Sequence, residues 1–100
     1  MNVELRDEAR GDLVAGAVFY GGQSDGLDGY FLECLRENIE KLESIGGIHK
    51  QYHGFHRSLS ERFPYAIYYL VSGELVDVVA ILDCRSDPAT IDSRLGRTKP

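Results

Sequence analysis

The sequence has few of the cysteines that disulfide-stabilised or metal-binding proteins require. Two cysteines, Cys34 and Cys84, occur among 100 residues. They stand far apart and show neither CxxC nor mixed Cys/His spacing, which argues against a disulfide scaffold or a zinc module. We therefore expect two buried, reduced thiols and neither a metal ion nor a cofactor.

Long hydrophobic runs are also absent. No apolar stretch approaches the ~20 residues that a transmembrane helix needs. Residues 1–10 are charged, whereas a signal peptide has an apolar core. Three histidines, at positions 49, 53 and 56, lie close together, but no carboxylate or thiolate is placed to complete a metal-ligand set. These absences predict a soluble, cytoplasmic protein with no membrane partner.

The composition that remains is typical of one globular domain. Hydrophobic residues make up 43% of the chain and charged residues 27%, which is too apolar for a disordered protein. A chain of this size buries roughly two thirds of its unfolded surface, enough for one modest core without a deep catalytic cavity. We expect a single domain over residues 1–100, with 97–100 as a frayed tail.

Charge is distributed unevenly along the chain. The net charge is −5, yet residues 1–44 carry ten acids against four bases, while residues 45–100 carry six acids against seven bases. Affinity for phosphate or for an acidic partner requires locally concentrated positive charge. The second half is therefore expected to make any such contact, and the acids of the first half are expected to form the solvated faces of helices.

Apolar periodicity predicts a strand and two helices in the first half of the chain. Residues 1–5 alternate as an edge strand does. From Asp7 the apolar residues recur at a spacing of three to four, and the glycine pair 21–22 is expected to end this helix. The second helix should begin at residues 24–25 and end at Ile45, before two further glycines.

The second half reads as a sheet. Period-two alternation predicts strands at 55–59, 63–71 and 75–84, with a hairpin turn at 72–74. The sequence Asp87-Pro88 is typical of a helix N-cap followed by proline and predicts a short final helix. The fold class is therefore α+β, with an N-terminal strand and a two-helix hairpin packed on a mainly antiparallel sheet that ends in a three-stranded meander.

Alternation also assigns the strand residues to faces. We expect one face to carry Phe63, Tyr65, Ile67 and Tyr69 under the helices. Tyr68 and Leu70 should then lie on an open face, where exposed apolar residues need a partner. In the last strand, residues 76, 78, 80 and 82 are expected to share one face and residues 79 and 81 the other.

These strands carry a family pattern. The segments Phe55–Leu59, Arg62–Tyr69 and Val79–Arg85, followed by Asp87-Pro88, resemble the RelE/ParE superfamily of bacterial toxins, including the plasmid stabilisation family. Upstream, the similarity is carried by Ala9, Asp12-Leu13, Phe19-Tyr20, Gly26-Leu27 and Phe31-Leu32, so that it extends to about Pro88. The resemblance implies the toxin half of a type II toxin–antitoxin pair, silenced by a cognate antitoxin that wraps around it.

One branch of the superfamily cleaves messenger RNA on the ribosome. This chemistry needs cations to orient the scissile phosphate and a group that moves the 2′-hydroxyl proton. For a RelE-like enzyme the candidate catalytic residues are Lys50, Arg57 and Arg85, with His53 or His56 as the base. On these strands Arg57 and Arg85 could converge on the open sheet face. The pI near 5.1 and the lack of an aromatic residue or histidine after Cys84 leave the set incomplete.

The ParE-like branch binds DNA gyrase and needs a surface rather than a catalytic set. The strand from Phe63 to Tyr69 and the ending Asp83-Cys84-Arg85 look more like this branch. The expected partner-binding residues are Arg62, Tyr68, Leu70 and Arg85. A third alternative is a non-toxic domain that only binds its antitoxin. No sequence-specific DNA binding is expected from this chain alone.

Overall fold

The computed structural model describes residues 1–98. In chain order its elements are β1 (Asn2–Leu5), α1 (Asp7–Gln23), α2 (Leu27–Ile45), β2 (Gln51–Tyr52), β3 (Phe55–Leu59), β4 (Tyr65–Ser72), β5 (Leu75–Asp83) and α3 (Pro88–Arg97). The strands form one sheet in the order β1-β5-β4-β3-β2. β1 runs parallel to β5 and the other pairs are antiparallel. The predicted α+β class, helical hairpin and meander are confirmed.

α1 continues past the glycine pair that was expected to end it. The N–H of Ser24 still donates to the carbonyl of Tyr20, at 3.2 Å. A helical glycine costs only about 1 kcal/mol relative to alanine, and packing against α2 outweighs this cost. At Gly21 an added Cβ would lie 3.2 Å from the Cβ of Asp28. The break falls instead at Gly26, whose φ of 82° is in the left-handed region.

The two helices pack closely on one face of the sheet. A Cβ at Gly16 would lie 2.5 Å from Cζ of Phe31, so only glycine allows this approach. The core beneath the hairpin contains, among others, Ala9, Phe31, Leu35, Leu42, Phe63, Tyr65, Ile67, Tyr69, Val76, Val78 and Ile81. The face assigned to Phe63, Tyr65, Ile67 and Tyr69 is thus confirmed.

A β-bulge in β5 corrects the expected faces of that strand. Tyr68 pairs with Ala80 but Tyr69 pairs with Val78, which leaves Val79 as the extra residue. A bulge of this kind shifts the alternation by one position. Val78 therefore packs beneath the hairpin, whereas Val79 and Ala80 both pack on the opposite face. The prediction that positions 76, 78 and 80 share one face is wrong.

The short strand β2 was not predicted. It pairs with β3 through Tyr52 and Phe55. The two residues between them, His53 and Gly54, have φ values of 52° and 85°. Positive φ at both central positions is the requirement of a type I′ hairpin turn. The loop between α2 and β3 is thus a hairpin that extends the sheet edge.

α3 covers the sheet face that was expected to be open. Ile91 and Leu95 pack there in one buried cluster with Tyr68, which is 1% exposed. Leu70 lies at the margin of this cluster and is partly buried. The expectation that Tyr68 is available to a partner is therefore wrong for this conformation, because the final helix already shields its ring.

The structure confirms the predicted start of α3 but not its predicted end. Asp87 caps the helix by accepting the N–H of Ala89 at 2.9 Å. At the other end Arg97 is helical and Thr98 is buried, so the tail predicted from residue 97 onward does not begin there. Residues 99–100 of that prediction lie outside the described part of the chain.

The two cysteines have different environments. Both are free, but only Cys34 is buried, while Cys84 is exposed. The prediction of two buried thiols is therefore wrong for Cys84. Partial desolvation raises the pKa of the Cys84 thiol, which disfavours the reactive thiolate.

The helices of the described residues also bear on membrane insertion. None within 1–98 has both the length and the hydropathy to span a bilayer.

Candidate functional site

Lys50 and Arg57 meet in a cleft at the β2 edge of the sheet. The N–H of Arg57 donates to the carbonyl of Lys50 at 3.0 Å, one step beyond the β2–β3 pairing. The cleft has a volume of about 490 Å³ and is also lined by His49, Gln51, Tyr52 and Leu59. The guanidinium carbon of Arg57 lies 5.3 Å from the centre of the Tyr52 ring. We call this site the cationic cleft.

Arg85 does not join the cationic cleft. Its guanidinium makes two hydrogen bonds to the carboxylate of Asp83, at 3.1 and 2.9 Å, and approaches the hydroxyl of Tyr20 on α1 at 3.5 Å. Arg57 instead pairs across the strands with Tyr68, and such neighbours share a sheet face, here the face under α3. The predicted convergence of Arg57 and Arg85 is therefore wrong.

Each member of the Arg85–Asp83 pair stabilises the charged form of the other. Hydrogen bonding to Arg85 lowers the pKa of Asp83, and hydrogen bonding to Asp83 raises the pKa of Arg85. Arg85 thus keeps its charge but already has an anionic partner. This arrangement suits a positioned surface group better than a free phosphate-binding cation.

The histidines serve the local structure. The hydroxyl of Tyr69 accepts the N–H of Gly47 at 2.9 Å and lies 2.6 Å from Nδ1 of His49. The ring of His56 stacks on the ring of Tyr69, with ring centres 5.1 Å apart, and its Nδ1 is 2.8 Å from the carbonyl of His49. Burial lowers the pKa of His49. Since His56 is committed to this carbonyl and this ring, it is poorly placed to act as a general base in the cleft.

His53 is engaged elsewhere. Its Nε2 lies 3.1 Å from Asp92 on α3, and the same carboxylate accepts the hydroxyl of Tyr52 at 2.9 Å. Within residues 1–98, no three His, Cys, Asp or Glu side chains are grouped so as to hold a metal ion. The histidine cluster of the sequence is therefore a set of packing and hydrogen-bonding residues in the described structure.

A second surface lies at the end of the helical hairpin where the turn joins α1 to α2. Arg62 donates to the hydroxyl of Tyr30, with its guanidinium carbon 5.9 Å from the ring centre. Tyr20 and Tyr30 both contact the ring of Phe63, at centre-to-centre distances of 4.8 and 5.6 Å. The ring of Phe63 therefore connects the Arg62–Tyr30 pair to Tyr20, which Arg85 approaches.

This surface has the composition of a protein-binding site. Phe19 packs edge-on against Tyr20, at 5.1 Å between ring centres, and is 52% exposed. We define the aromatic rim as Phe19, Tyr20, Tyr30, Arg62 and Arg85. Aromatic residues and arginine are enriched at the energetically important positions of interfaces. Arg62 and Arg85 were predicted partner-binding residues. Tyr20 and Tyr30 were not, because their helical spacing is that of core residues, and Phe19 lies outside that spacing.

α3 is fastened across the sheet by a partly buried ion pair. Arg94 donates to both carboxylate oxygens of Asp12, at 2.9 and 2.8 Å, and this contact raises the pKa of Arg94. One of the same oxygens accepts the N–H of Ile81 at 2.9 Å. Glu8 lies 3.0 Å from Nε of Arg94. Asp12 therefore ties α1, β5 and α3 together.

Comparisons with known proteins bear on the fold. No protein-family model matches the chain, and no curated protein matches it. Among solved structures, a chain of the "Chromosomal ParDE TA system from P. aeruginosa" superposes with a TM-score of 0.71 at 20% sequence identity. The alignment covers 81% of this chain and 92% of that chain. The fold is RelE/ParE-like.

The RelE/ParE-like fold confirms the resemblance carried by the sequence motifs, at the level of the fold. It also gives the two candidate surfaces a common frame. The aromatic rim lies on the side of the helical hairpin, and the cationic cleft lies at the sheet edge formed by β2 and β3. The predicted site residues are therefore divided between two surfaces, except for Tyr68 and Leu70, which belong to the cluster beneath α3.

Proposed function

We propose that this chain is the toxin component of a type II toxin–antitoxin module, that a cognate antitoxin neutralises it, and that it inhibits DNA gyrase as a ParE-like toxin. The fold shared with a chain of a ParDE system supports the module, since 92% of that chain is covered. The choice of target rests on the aromatic rim.

The rim supports a binding mechanism over a catalytic one. Its two arginines are held in place by Tyr30 and Asp83, and Phe19 presents an exposed ring beside them. Inhibition by binding requires such a preorganised surface and no proton-transfer group. It also suits a chain with a pI near 5.1, because no phosphate has to be held.

The test is induced expression in a bacterial host with and without the adjacent open reading frame. We expect growth arrest that the neighbouring gene relieves, with filamentous cells and damaged DNA. In vitro, the purified chain should inhibit supercoiling by gyrase, and the neighbouring product should restore it. Unaffected supercoiling at an excess of the chain would refute the gyrase proposal. Normal growth despite soluble protein would instead favour the non-toxic antitoxin-binding domain.

A second candidate is a ribosome-dependent endoribonuclease. The observation that favours it is the shared cleft of Lys50 and Arg57, two of its predicted catalytic residues. Expression would then arrest translation before any effect on the nucleoid. The double variant Lys50→Ala/Arg57→Ala would abolish this arrest, whereas Arg10→Ala, an exposed base on α1, would leave it intact. Equal arrest by both variants would exclude the cleft as the catalytic site.

A further inference from the structure

The side of α1 that faces away from the sheet is apolar. Its residues recur at spacings of three and four, which places them on one side of the helix. They are Gly11, Val14, Ala15, Val18 and Gly22, and all five are exposed. Val14 is 62% exposed and Val18 is 71% exposed. We call these five residues the outer face of α1.

α1 is therefore apolar on both sides, because its other side supplies residues to the core beneath the hairpin. Such a helix is typical of a buried position. From Leu13 to Gly22 the one hydrogen-bonding side chain is Tyr20, and its hydroxyl lies near Arg85. α2, by contrast, carries the ion pairs of Arg36 on its solvent side. A contiguous apolar patch on a small domain marks a contact surface.

The shape of the outer face is complementary to itself. The two valines project from the helix, whereas the small residues leave hollows beside them. A Cβ at Gly11 or Gly22 would meet no atom within 4 Å. When a second α1 packs against this one, its valines can enter these hollows, as knobs enter holes in paired helices. A surface that supplies both knobs and holes suits an isologous, twofold contact.

The charges around the outer face select an antiparallel arrangement. The first turn of α1 carries Asp7 and Glu8, whereas the last turn, residues 20–23, carries no charge. Antiparallel helices place each acidic turn against an uncharged one, while parallel helices would bring the acidic turns together. The antiparallel arrangement also brings Arg10 toward the C-terminal carbonyls of the other helix, which favour a cation. The same acids would be repelled by anionic lipids, which disfavours a membrane as the occupant.

The size of the outer face predicts a weak dimer. Between residues 11 and 22 it extends roughly 17 Å along the helix axis, and it is about 10 Å wide. Two such faces bury less than about 1,200 Å², the lower limit for stable complexes. The expected dissociation constant is therefore on the order of 10–100 μM, as for a transient contact.

We propose that the outer face of α1 binds the same face of a second copy of this chain, in a weak antiparallel dimer with twofold symmetry. Val14 and Val18 lie at the middle of the contact, and the acidic turns lie at its two ends. The inference goes beyond the proposed function and does not depend on it, because the contact uses no residue of the aromatic rim or of the cationic cleft. Both surfaces stay free in the dimer, so variants of the outer face should inhibit supercoiling as the wild type does.

Sedimentation equilibrium of the purified chain tests the dimer. The wild type should change from monomer to dimer as its concentration rises to about 1 mM. Val18→Glu places a carboxylate in the contact twice and should weaken association at least about tenfold. Ile48→Glu is the matched control, because Ile48 is 72% exposed and the variant adds the same charge away from α1. It should dimerise as the wild type does, and circular dichroism checks that both variants are folded.

Two results would overturn the proposal. One is a chain that stays monomeric over the whole range, and the other is equal association of Val18→Glu and Ile48→Glu. If the monomeric chain binds the product of the adjacent open reading frame, and Val18→Glu alone weakens that binding, the product covers the outer face. The dimer is then overturned and the proposed function stands.

The orientation is tested with a spin label at position 7. The variant Asp7→Cys, combined with Cys84→Ser to remove the exposed thiol, takes one label in each copy. In an antiparallel dimer the two labels should lie roughly 30 Å apart, since each is about six residues or more from the middle of the contact. A separation of about 15 Å or less would show parallel helices and would overturn the antiparallel contact.

Discussion

The aromatic rim and the cationic cleft are both built around arginine, but they use its charge differently. In the rim, Arg85 is paired with Asp83 and Arg62 with the hydroxyl of Tyr30. In the cleft, Arg57 lies beside the ring of Tyr52 and near Lys50, and no carboxylate of the described residues is within ion-pair distance of it. The rim is thus a preorganised surface whose arginines already have partners, whereas the cations of the cleft can bind an external anion.

The comparison shows how one small sheet can carry two surfaces of different character. The hairpin side supplies aromatic rings together with arginines that already have partners, which favours shape-specific contact with a protein. The β2 edge supplies the cations Lys50 and Arg57 in a cleft that no acid lines, which favours an anionic ligand. We therefore expect different effects from variants that disturb the packing common to both surfaces, variants that disturb only the rim, and variants that disturb only the wall of the cleft.

The largest effect is expected from Arg94→Ala, which disturbs the frame common to both surfaces. Asp12 and Arg94 have side chains that are each 14% exposed, so the variant leaves a partly buried carboxylate without its partner. We expect a loss of about 2–3 kcal/mol in the free energy of unfolding, measured by urea denaturation. Arg97→Ala is the control, because that side chain is 65% exposed. A similar loss in both variants would contradict the anchoring role of the Arg94–Asp12 pair.

The next effect is expected from Gly16→Ala, which disturbs the rim and spares the cleft. The new methyl group would lie 2.5 Å from Cζ of Phe31, and Phe31 stacks on Tyr20 at 5.2 Å. Overpacking of this kind costs about 1–3 kcal/mol. Gly11→Ala on the same helix meets nothing within 4 Å and should be neutral or stabilising. Thermal unfolding of the two variants measures the difference, and equal stabilities would refute the tight contact.

A smaller effect, on function alone, is expected from Phe19→Ala. Because its ring is 52% exposed, truncation should change stability little but weaken inhibition of supercoiling about tenfold if the rim contacts gyrase. Val14→Ala is the matched control, since Val14 is an apolar residue of α1 that is 62% exposed and lies outside the rim. Equal inhibition by the two variants would remove Phe19 from the contact.

The smallest effect concerns pH and the wall of the cleft. Burial lowers the pKa of His49 in the folded chain, so the unfolded chain takes up its proton at a higher pH. The stabilisation from neutral His49 is therefore present above the unfolded pKa of about 6.5 and is lost as the pH falls through the folded value. In His49→Asn the unfolding free energy should vary less with pH between about 7 and 5. An unchanged pH dependence would contradict this assignment.

The helices and the main strands could be predicted from periodicity, because each apolar stripe is read locally. The bulge at Val79 could not, since residues 78–81 are all apolar and either register looks equally good. β2 spans only Gln51–Tyr52, which is too short to show a period. α3 was predicted, but its position over Tyr68 depends on Arg94 finding Asp12, a contact between distant parts of the chain.

The candidate sites were predictable only in part for the same reason. Lys50 and Arg57 were found as candidates, and the β2 hairpin brings them together. The convergence of Arg57 and Arg85 could not be checked from the sequence, because alternation assigns residues to a sheet face only within a strand and Arg85 lies beyond the end of β5. In the structure, the bidentate contact with Asp83 turns Arg85 toward α1. The helical stripe includes Tyr20 and leaves out Phe19, in agreement with their burial, but it does not indicate that Phe19 belongs to a binding surface.

The parallel pairing of β1 with β5 has a consequence for biosynthesis. Asn2 to Leu5 are made well before the residues they pair with, Leu75 to Val78. A contact between such distant segments slows folding, since the whole intervening loop must be closed first. The sheet therefore cannot be completed until β5 has left the ribosome. Until then β1 lacks the strand that it pairs with in the finished sheet.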